Sequence, residues 1–355
     1  MKLFSKKTLI YQDRKKIKLF QFLGKAIVCC KKEANKKYSF YFGNQIQKIK
    51  EIKDEADFQK KISAYDRDVQ IIFPPQGLGD ILIVCALLKE YKKNHPNKKI
   101  VIWVTKRHFK ELAELYSNYI FDIIHYNRRP NSADNVLNID AIYRNTTLFN
   151  LCQKYKKLKN SIAEAMNISN SCELVYPEIE HINEPSISNT ILIAPDAEST
   201  PKIISDSEWM TLAKMLCDSG YEVIFNCSNQ NRFSGYQKVF WDIKQTVQKV
   251  DQMKAFISYR SGLADVIGAF CRHTHQFIIY PHKGLCNIGK FSNENEAITA
   301  YYNYCSIKDN FNDNLAHEYI NSNNTWFNIV NDIQCHSIGD DNDKFSKIEK
   351  LSDDE

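Results

Sequence analysis

The chain has 355 residues, 43% apolar, 25% charged and 12% aromatic, enough for two ordinary domains with a sizeable core that needs neither disulfides nor a structural metal. No run approaches the roughly 18 apolar residues of a membrane-spanning helix; the longest clean one is Ile81 to Leu88, and the lysine-bearing start lacks a cleavage-type ending, so neither a spanning helix nor a signal peptide is expected. The net charge of +6 is uneven: residues 1–50 hold fourteen Lys and Arg against Asp13 and Glu33, a local balance of +12 that leaves about −6 for the rest, the pattern of a basic arm that meets something anionic.

That arm, taken as 1–65, repeats itself loosely. "KKIKLFQFLGKAIVCCKKE" (15–33) and "KKYSFYFGNQIQKIKE" (36–51) each carry a lysine pair, an aromatic run, a glycine and a second run, which predicts two small hairpins or bent strands. Lysines interleaved with aromatics also suit nucleic acid. The acidic remainder of the chain and the lack of an RNA-binding signature favour an anionic membrane surface instead. Residues 51–68 read as a polar helical linker, with "DRD" at 66–68 a solvated turn and not a metal-holding DxD. The eleven cysteines form no CxxC pair and predict reduced thiols in a cytosolic protein.

From 66 to 185 the rhythm is strand, helix, strand. "VQIIFP" (69–74) reads as a buried strand. Residues 80–93 read as a helix whose inner face is Ile81, Val84, Cys85, Leu87 and Leu88. "KKIVIWVT" (98–105), a helix and "FDIIHY" (121–126) follow. After an irregular stretch the rhythm restarts over 186–310: "NTILIAP" (189–195), a capped helix from Ser205 to Gly220, "YEVIFNCS" (221–228), a helix at 246–255, "AFISYRSG" (255–262), a helix, and "HQFIIYP" (275–281). Short apolar strands alternating with amphipathic helices predict parallel sheets covered on both faces. The fold class is therefore α/β, with two Rossmann-like halves. A helical segment is expected over 311–338 and an acidic, disordered tail over 339–355.

Ligands of parallel α/β sheets bind beyond the carboxyl ends of the strands. In the first half that place is "PPQGLGDILIV". Gly77 and Gly79 permit a tight turn or close ligand approach. The helix start at Asp80 favours phosphate or developing negative charge. Asp80 itself can cap the helix or take a proton from a hydroxyl. In the second half it is "ISYRSGLADVIGAF" (257–270), where Arg260 can grip a diphosphate or pair with Asp265, and Ser261-Gly262 turns into a helix. Lys202, in the loop after the strand at 189–195, can neutralise phosphate. His273 and His275 of "HTH" have no ligand partner at metal spacing, and read as surface or packing residues.

These three stretches together resemble bacterial heptosyltransferase-type glycosyltransferases, the inverting, family 9-like enzymes of lipopolysaccharide synthesis with the two-domain GT-B fold. "GLGDILIVCALLKEYKKNHPNKKIVIWV" is similar to that family's start. "ILIAPDAESTPKIISDSEWMTLAKMLCDSGYEVIF" is similar to its second-domain opening, and "FISYRSGLADVIGAF" to its donor-site turn. Arg260 stands where the family usually has an acidic residue, and Asp265 where a histidine is common. The resemblance implies GT-B-like halves facing a cleft, with Asp80 as general base. It places Lys202, Arg260, Ser261, Gly262 and Asp265 at the donor diphosphate.

The expected function is inverting transfer of a sugar from a nucleotide-sugar donor to a hydroxyl of a cell-surface glycan, of capsule or lipopolysaccharide type. The acceptor would be a glycan or lipid-linked molecule. No metal and no cofactor is required if basic groups carry the leaving charge. The expected location is cytoplasmic, peripheral on the inner face of the membrane through residues 1–50, with nucleic acid disfavoured as a partner. A pyruvyl-type transferase and a non-catalytic glycan-assembly protein are the rival readings.

Overall fold

The computed structural model describes residues 4–10, 16–22, 25–32, 38–42, 68–116, 120–125, 135–179, 187–197, 203–286, 291–311 and 313–336. By contacts the chain divides into two compact units, Met1–Asp68 with Tyr126–Arg129, and the remainder. In the first unit β1 (Phe4–Ile10), β2 (Lys16–Phe22), β3 (Lys25–Lys32) and β4 (Tyr38–Phe42) form an antiparallel sheet in chain order. The first half of the sequence echo is the β2–β3 hairpin, with Phe22 opposite Lys25 and a register shift between Phe20 and Gln21. Instead of two separate hairpins there is one four-stranded meander, to which β1 adds a strand that the repeat did not signal. The expected linker helix lies outside the described residues, save Asp68, an exposed turn residue. The acidic tail also lies outside them.

The second unit holds two sheets, both wholly parallel. The first has the order β7-β6-β5-β8, with β5 (Val69–Phe73), β6 (Lys99–Val104), β7 (Asp122–His125) and β8 (Val136–Asn138). β5 leads into α1 (Leu78–Asn94), and α2 (Lys106–Leu115) joins β6 to β7. Short helices α3 (Ala141–Arg144), α4 (Leu148–Tyr155) and α5 (Leu158–Ala165) follow. The single inner face expected for α1 was too narrow. All eight residues from Ile81 to Leu88 are inaccessible to solvent. A helix apolar all round is a buried one, and α1 packs on its own sheet, on α5 and on the second half.

The second sheet has the order β11-β10-β9-β12-β13-β14. Its centre is β9 (Thr190–Ala194) and β12 (Ala255–Tyr259), flanked by β10 (Glu222–Asn226) and β13 (His275–Tyr280), with β11 (Gln237–Val239) and β14 (Ala316–Ile320) at the edges. Its helices are α6 (Asp206–Asp218), α7 (Ile243–Val250), α8 (Gly262–Phe270), α9 (Glu294–Cys305) and α10 (Ile307–Phe311); α11 spans 325–336. The capping box expected at Ser205 is formed, with Glu208 as its reciprocal partner. Side chains alternate between two cores, as strand geometry requires. Leu192, Phe256, Ile278 and Tyr280 belong to a core that is continuous with the first sheet and α1. Ile191, Ile193, Ile257, Phe277 and Ile279 belong to a second core with Trp209 of α6 and Ile329 and Ile333 of α11.

Two expectations fail here. The helix placed at 246–255 runs from Ile243 to Val250, because Asp242 caps it through the backbone N–H of Gln245, and residues 255–259 are strand. The segment 311–338 is not wholly helical. It contains β14, whose "AHEYI" is too polar to announce a strand, and its helix α11 packs on the second sheet and not on the first half.

Candidate functional site

At the carboxyl end of β5 the helix α1 starts two residues earlier than its apolar pattern suggests. Gly77 is the N-cap, no side chain caps it, and Asp80 lies inside the first turn. Asp80 is therefore not the cap. Its Oδ1 accepts a hydrogen bond of 2.9 Å from the Tyr143 hydroxyl of α3. Its Oδ2 folds back over Gly77, so that a β-carbon there would lie 2.1 Å from it. Asp80 is half-buried as a residue, and its carboxyl group is crowded by protein. Burial pushes its pKa up, against the opposing pull of Tyr143 and of the Arg260 charge. A carboxyl group with a raised pKa, oriented by a tyrosine hydroxyl, is a candidate for a general base.

The second turn faces the first. Ser261 caps α8 by accepting from the Ala264 N–H at 3.3 Å. Arg260 and Asp265 are buried, at 6% and 3% exposure. Arg260 donates from Nη1 to Asp265 Oδ2 at 2.8 Å and from Nε to the Cys305 carbonyl, the last of α9, at 2.7 Å. Of the two roles read for Arg260, the internal ion pair is the one formed. Its Nε and Nη1 are committed to protein oxygens in this arrangement. Burial also pushes the Asp265 carboxyl up, against the pull of Arg260, and its Oδ1 has no hydrogen-bond partner. Asp265 does not face an open cleft. It meets Gly79, where a β-carbon would lie 1.9 Å from Oδ2, while Gly262 in turn abuts Leu78, at 3.0 Å for a built β-carbon.

A cavity of about 870 Å³ opens beside these turns, within the usual size of a ligand pocket. Ala194, Asp196 and Ala197 line it from the end of β9, and Asn226 and Cys227 from the end of β10. Arg232, Trp241 and Asp242 come from the loops beyond, Leu263 from the first turn of α8, and Lys110, Glu111 and Glu114 from α2 of the first half. Arg232 is fixed by Nη1 to Asp196 at 2.8 Å and by Nε and Nη2 to Asp206 at 2.9 and 2.6 Å. Phe233, beneath its guanidinium, holds φ at +53°, an uncommon conformation for an aromatic residue. The sequence reading missed Arg232 and Trp241. Their only advance signal is position, in loops that follow strand ends. Lys202 lies outside the described residues.

His273 behaves as a surface packing residue, with Nδ1 2.9 Å from Asp251 Oδ2. His275 does not. It stands 3.0 Å from the Nε2 of His317 on β14, a partner 42 residues away that no local spacing could reveal. Among the described residues no helix is long and apolar enough to cross a membrane.

No protein-family model and no curated protein matches the sequence. Among solved structures the chain is similar to the ADP-heptose lipopolysaccharide heptosyltransferase II of E. coli, at 14% identity over 71% of this chain and 90% of that one, TM-score 0.47. It is similar to a family 9 glycosyl transferase from Veillonella parvula, at 10% identity over 76% and 90%, TM-score 0.46. A third is the iron-containing dodecameric glycosyltransferase TibC of enterotoxigenic E. coli, at 13% identity and TM-score 0.45. The match there covers 61% of this chain and 58% of TibC.

Proposed function

We propose that the protein is an inverting glycosyltransferase that moves a sugar from a nucleotide-sugar to an acceptor hydroxyl, with Asp80 as the general base. The observation that carries this reading is the Asp80 carboxylate itself. It belongs to a half-buried residue, is raised in pKa and held by Tyr143, and lies at the carboxyl end of β5, in the helix turn where Leu78 meets Gly262 of the second half. Asp80 accepts the hydroxyl proton as the acceptor oxygen bonds to the anomeric carbon. The bond from that carbon to the donor phosphate oxygen breaks, and the nucleoside diphosphate leaves from the opposite face.

The donor fits the cavity at the ends of β9 and β10. Its base would stack on Trp241, and its diphosphate would lie toward the first N–H groups of α8, where Leu263 lines the cavity and a helix start stabilises anionic charge. Lys202 follows β9 in sequence and is the basic residue that we assign to the departing phosphate. Arg260 and Asp265 act indirectly in this scheme: they fix the turn that presents Ser261 and Gly262. The acceptor is read as a glycan or lipid-linked hydroxyl at an anionic membrane surface, supported by the +12 balance of residues 1–50.

The test is Asp80→Asn, assayed for sugar transfer and nucleoside diphosphate release over a panel of nucleotide-sugars. Loss of about 10²- to 10⁴-fold in rate, with an unchanged melting transition, is the expected result. Transfer near the native rate in that variant would remove Asp80 from the role of base. Absence of nucleotide-sugar binding by the native protein, read as no thermal shift over the same panel, would point to the non-catalytic assembly reading.

A further inference from the structure

We propose that His275, His317 and His336 form a structural site for a borderline divalent transition metal of the zinc class, independent of the transfer chemistry. Three elements far apart in sequence deliver these residues to one place. His275 opens β13, and His317 lies on the neighbouring strand β14. The parallel register sets His317 opposite Phe277, so that it shares a sheet face with His275, two residues earlier. α11 packs across the same face through Ile329 and Ile333, and its last described residue is His336.

The geometry fits ligation. One possible ligand atom from each ring lies within 4.8 Å of the others. His275 Nδ1 and His317 Nε2 are 3.0 Å apart. In a tetrahedral zinc site, ligand nitrogens about 2.0–2.1 Å from the metal lie roughly 3.3 Å from one another. The ring of His336 is stacked on His275 at 4.4 Å and lies 4.7 Å from His317, so a turn about its side-chain bonds closes the set. Three half-buried imidazoles are the donor type that suits zinc, copper, nickel and cobalt ions.

The location assigns the purpose. Strands of this sheet run parallel, and the cavity lies at their carboxyl ends; His275 marks the amino end of β13. A metal there is remote from the diphosphate site and joins α11 to β13 and β14. It is a staple for α11 on the sheet.

The experiment uses the full chain, stripped with chelator and titrated with Zn²⁺ by calorimetry, and with Co²⁺ for its visible spectrum. One equivalent should bind, with a tetrahedral-type Co²⁺ absorption, and the melting temperature should rise with Zn²⁺. His317→Gln and His336→Gln should each weaken binding by more than about tenfold and abolish the metal-dependent rise. Because His336 is half-buried and is the last described residue of α11, its variant tests the site where loss of fold is not expected. Cys335→Ser and His282→Gln should leave binding as it was. Absence of one-equivalent binding overturns the proposal, as does binding that survives both cluster variants or is lost with Cys335→Ser. None of these results bears on Asp80.

Discussion

Gly79 of α1 and Asp265 of α8 meet so closely that a single added β-carbon at Gly79 would fall 1.9 Å from the Asp265 carboxylate and 3.0 Å from its β-carbon. Gly79 is not among the glycines with positive φ, so it is there for room and not for backbone freedom. The two halves are joined at that contact, and the ion pair of Asp265 with Arg260 lies directly behind it.

Gly79→Ala should therefore destabilise the protein by about 1–3 kcal/mol, the usual cost of overpacking. The gain in helix propensity from Gly to Ala, at most about 1 kcal/mol, does not offset it. The urea midpoint should fall. A midpoint that stayed level or rose would show that the two helices have slack between them.

Tyr143→Phe removes the hydroxyl that holds Asp80. That hydrogen bond favours the ionised carboxylate and works against burial, so its loss lets the pKa of Asp80 climb further. A base must be deprotonated to act. The acidic limb of the kcat/KM profile for transfer should move to higher pH by about one pH unit. An unmoved limb, with only a lower plateau, would count against Asp80 as the titrating group.

Trp241→Ala should weaken binding of nucleoside diphosphates by about 1–3 kcal/mol, the worth of a base stacked on an aromatic ring. Trp103 and Trp209 are fully buried, whereas Trp241 lines the cavity, so native fluorescence should respond to nucleotide through this residue. Undiminished affinity in the variant would move the nucleotide elsewhere.

Asp313 offers a test of pH-dependent stability away from both sites. It is buried, accepts from the Leu315 N–H at 2.9 Å and from the Gln276 amide, and burial pushes its pKa from 3.8 up to about 6. A raised carboxyl pKa means that the native state binds the proton more tightly than the unfolded chain. The resulting stability is fully present below about pH 3.8 and is lost as pH rises through about 6. Asp313→Asn stays neutral throughout, and an amide flip of Gln276, whose Oε1 has no partner, can accommodate it. Between pH 4 and pH 7 the stability of the variant relative to the native protein should rise by up to about 3 kcal/mol. A flat difference from urea titrations across that range would refute the shift.

Much of this architecture was legible along the chain. Strands such as Thr190–Ala194 and Ala255–Tyr259 are buried throughout and mostly apolar because helices cover both faces, and that leaves an unmistakable run. The Gly-Asp turn was visible, but its use was not. The contact of Tyr143 with Asp80 spans 63 residues, and α3, which supplies it, has only four residues. Arg260 shows the limit of spacing arguments. Position alone allowed a phosphate grip or a local pair, and the pair with Asp265, beside the Cys305 carbonyl, became visible only in the folded chain. β14 escaped notice because an edge strand need bury only part of itself, and Ala316–Ile320 does so with His317, Glu318 and Tyr319 half-covered.

The late arrival of β14 also bears on biosynthesis. Thirty-five residues separate the end of β13 at Tyr280 from Ala316, so while the chain is being made β13 waits as an unsheltered edge. Its residues from Gln276 to Tyr280 become wholly buried only in the finished sheet. Until Ile320 has emerged from the ribosome, its free row of N–H and C=O groups can recruit another nascent strand. A product released short of Ala316 would keep that adhesive edge permanently, and its fate would be precipitation or proteolysis.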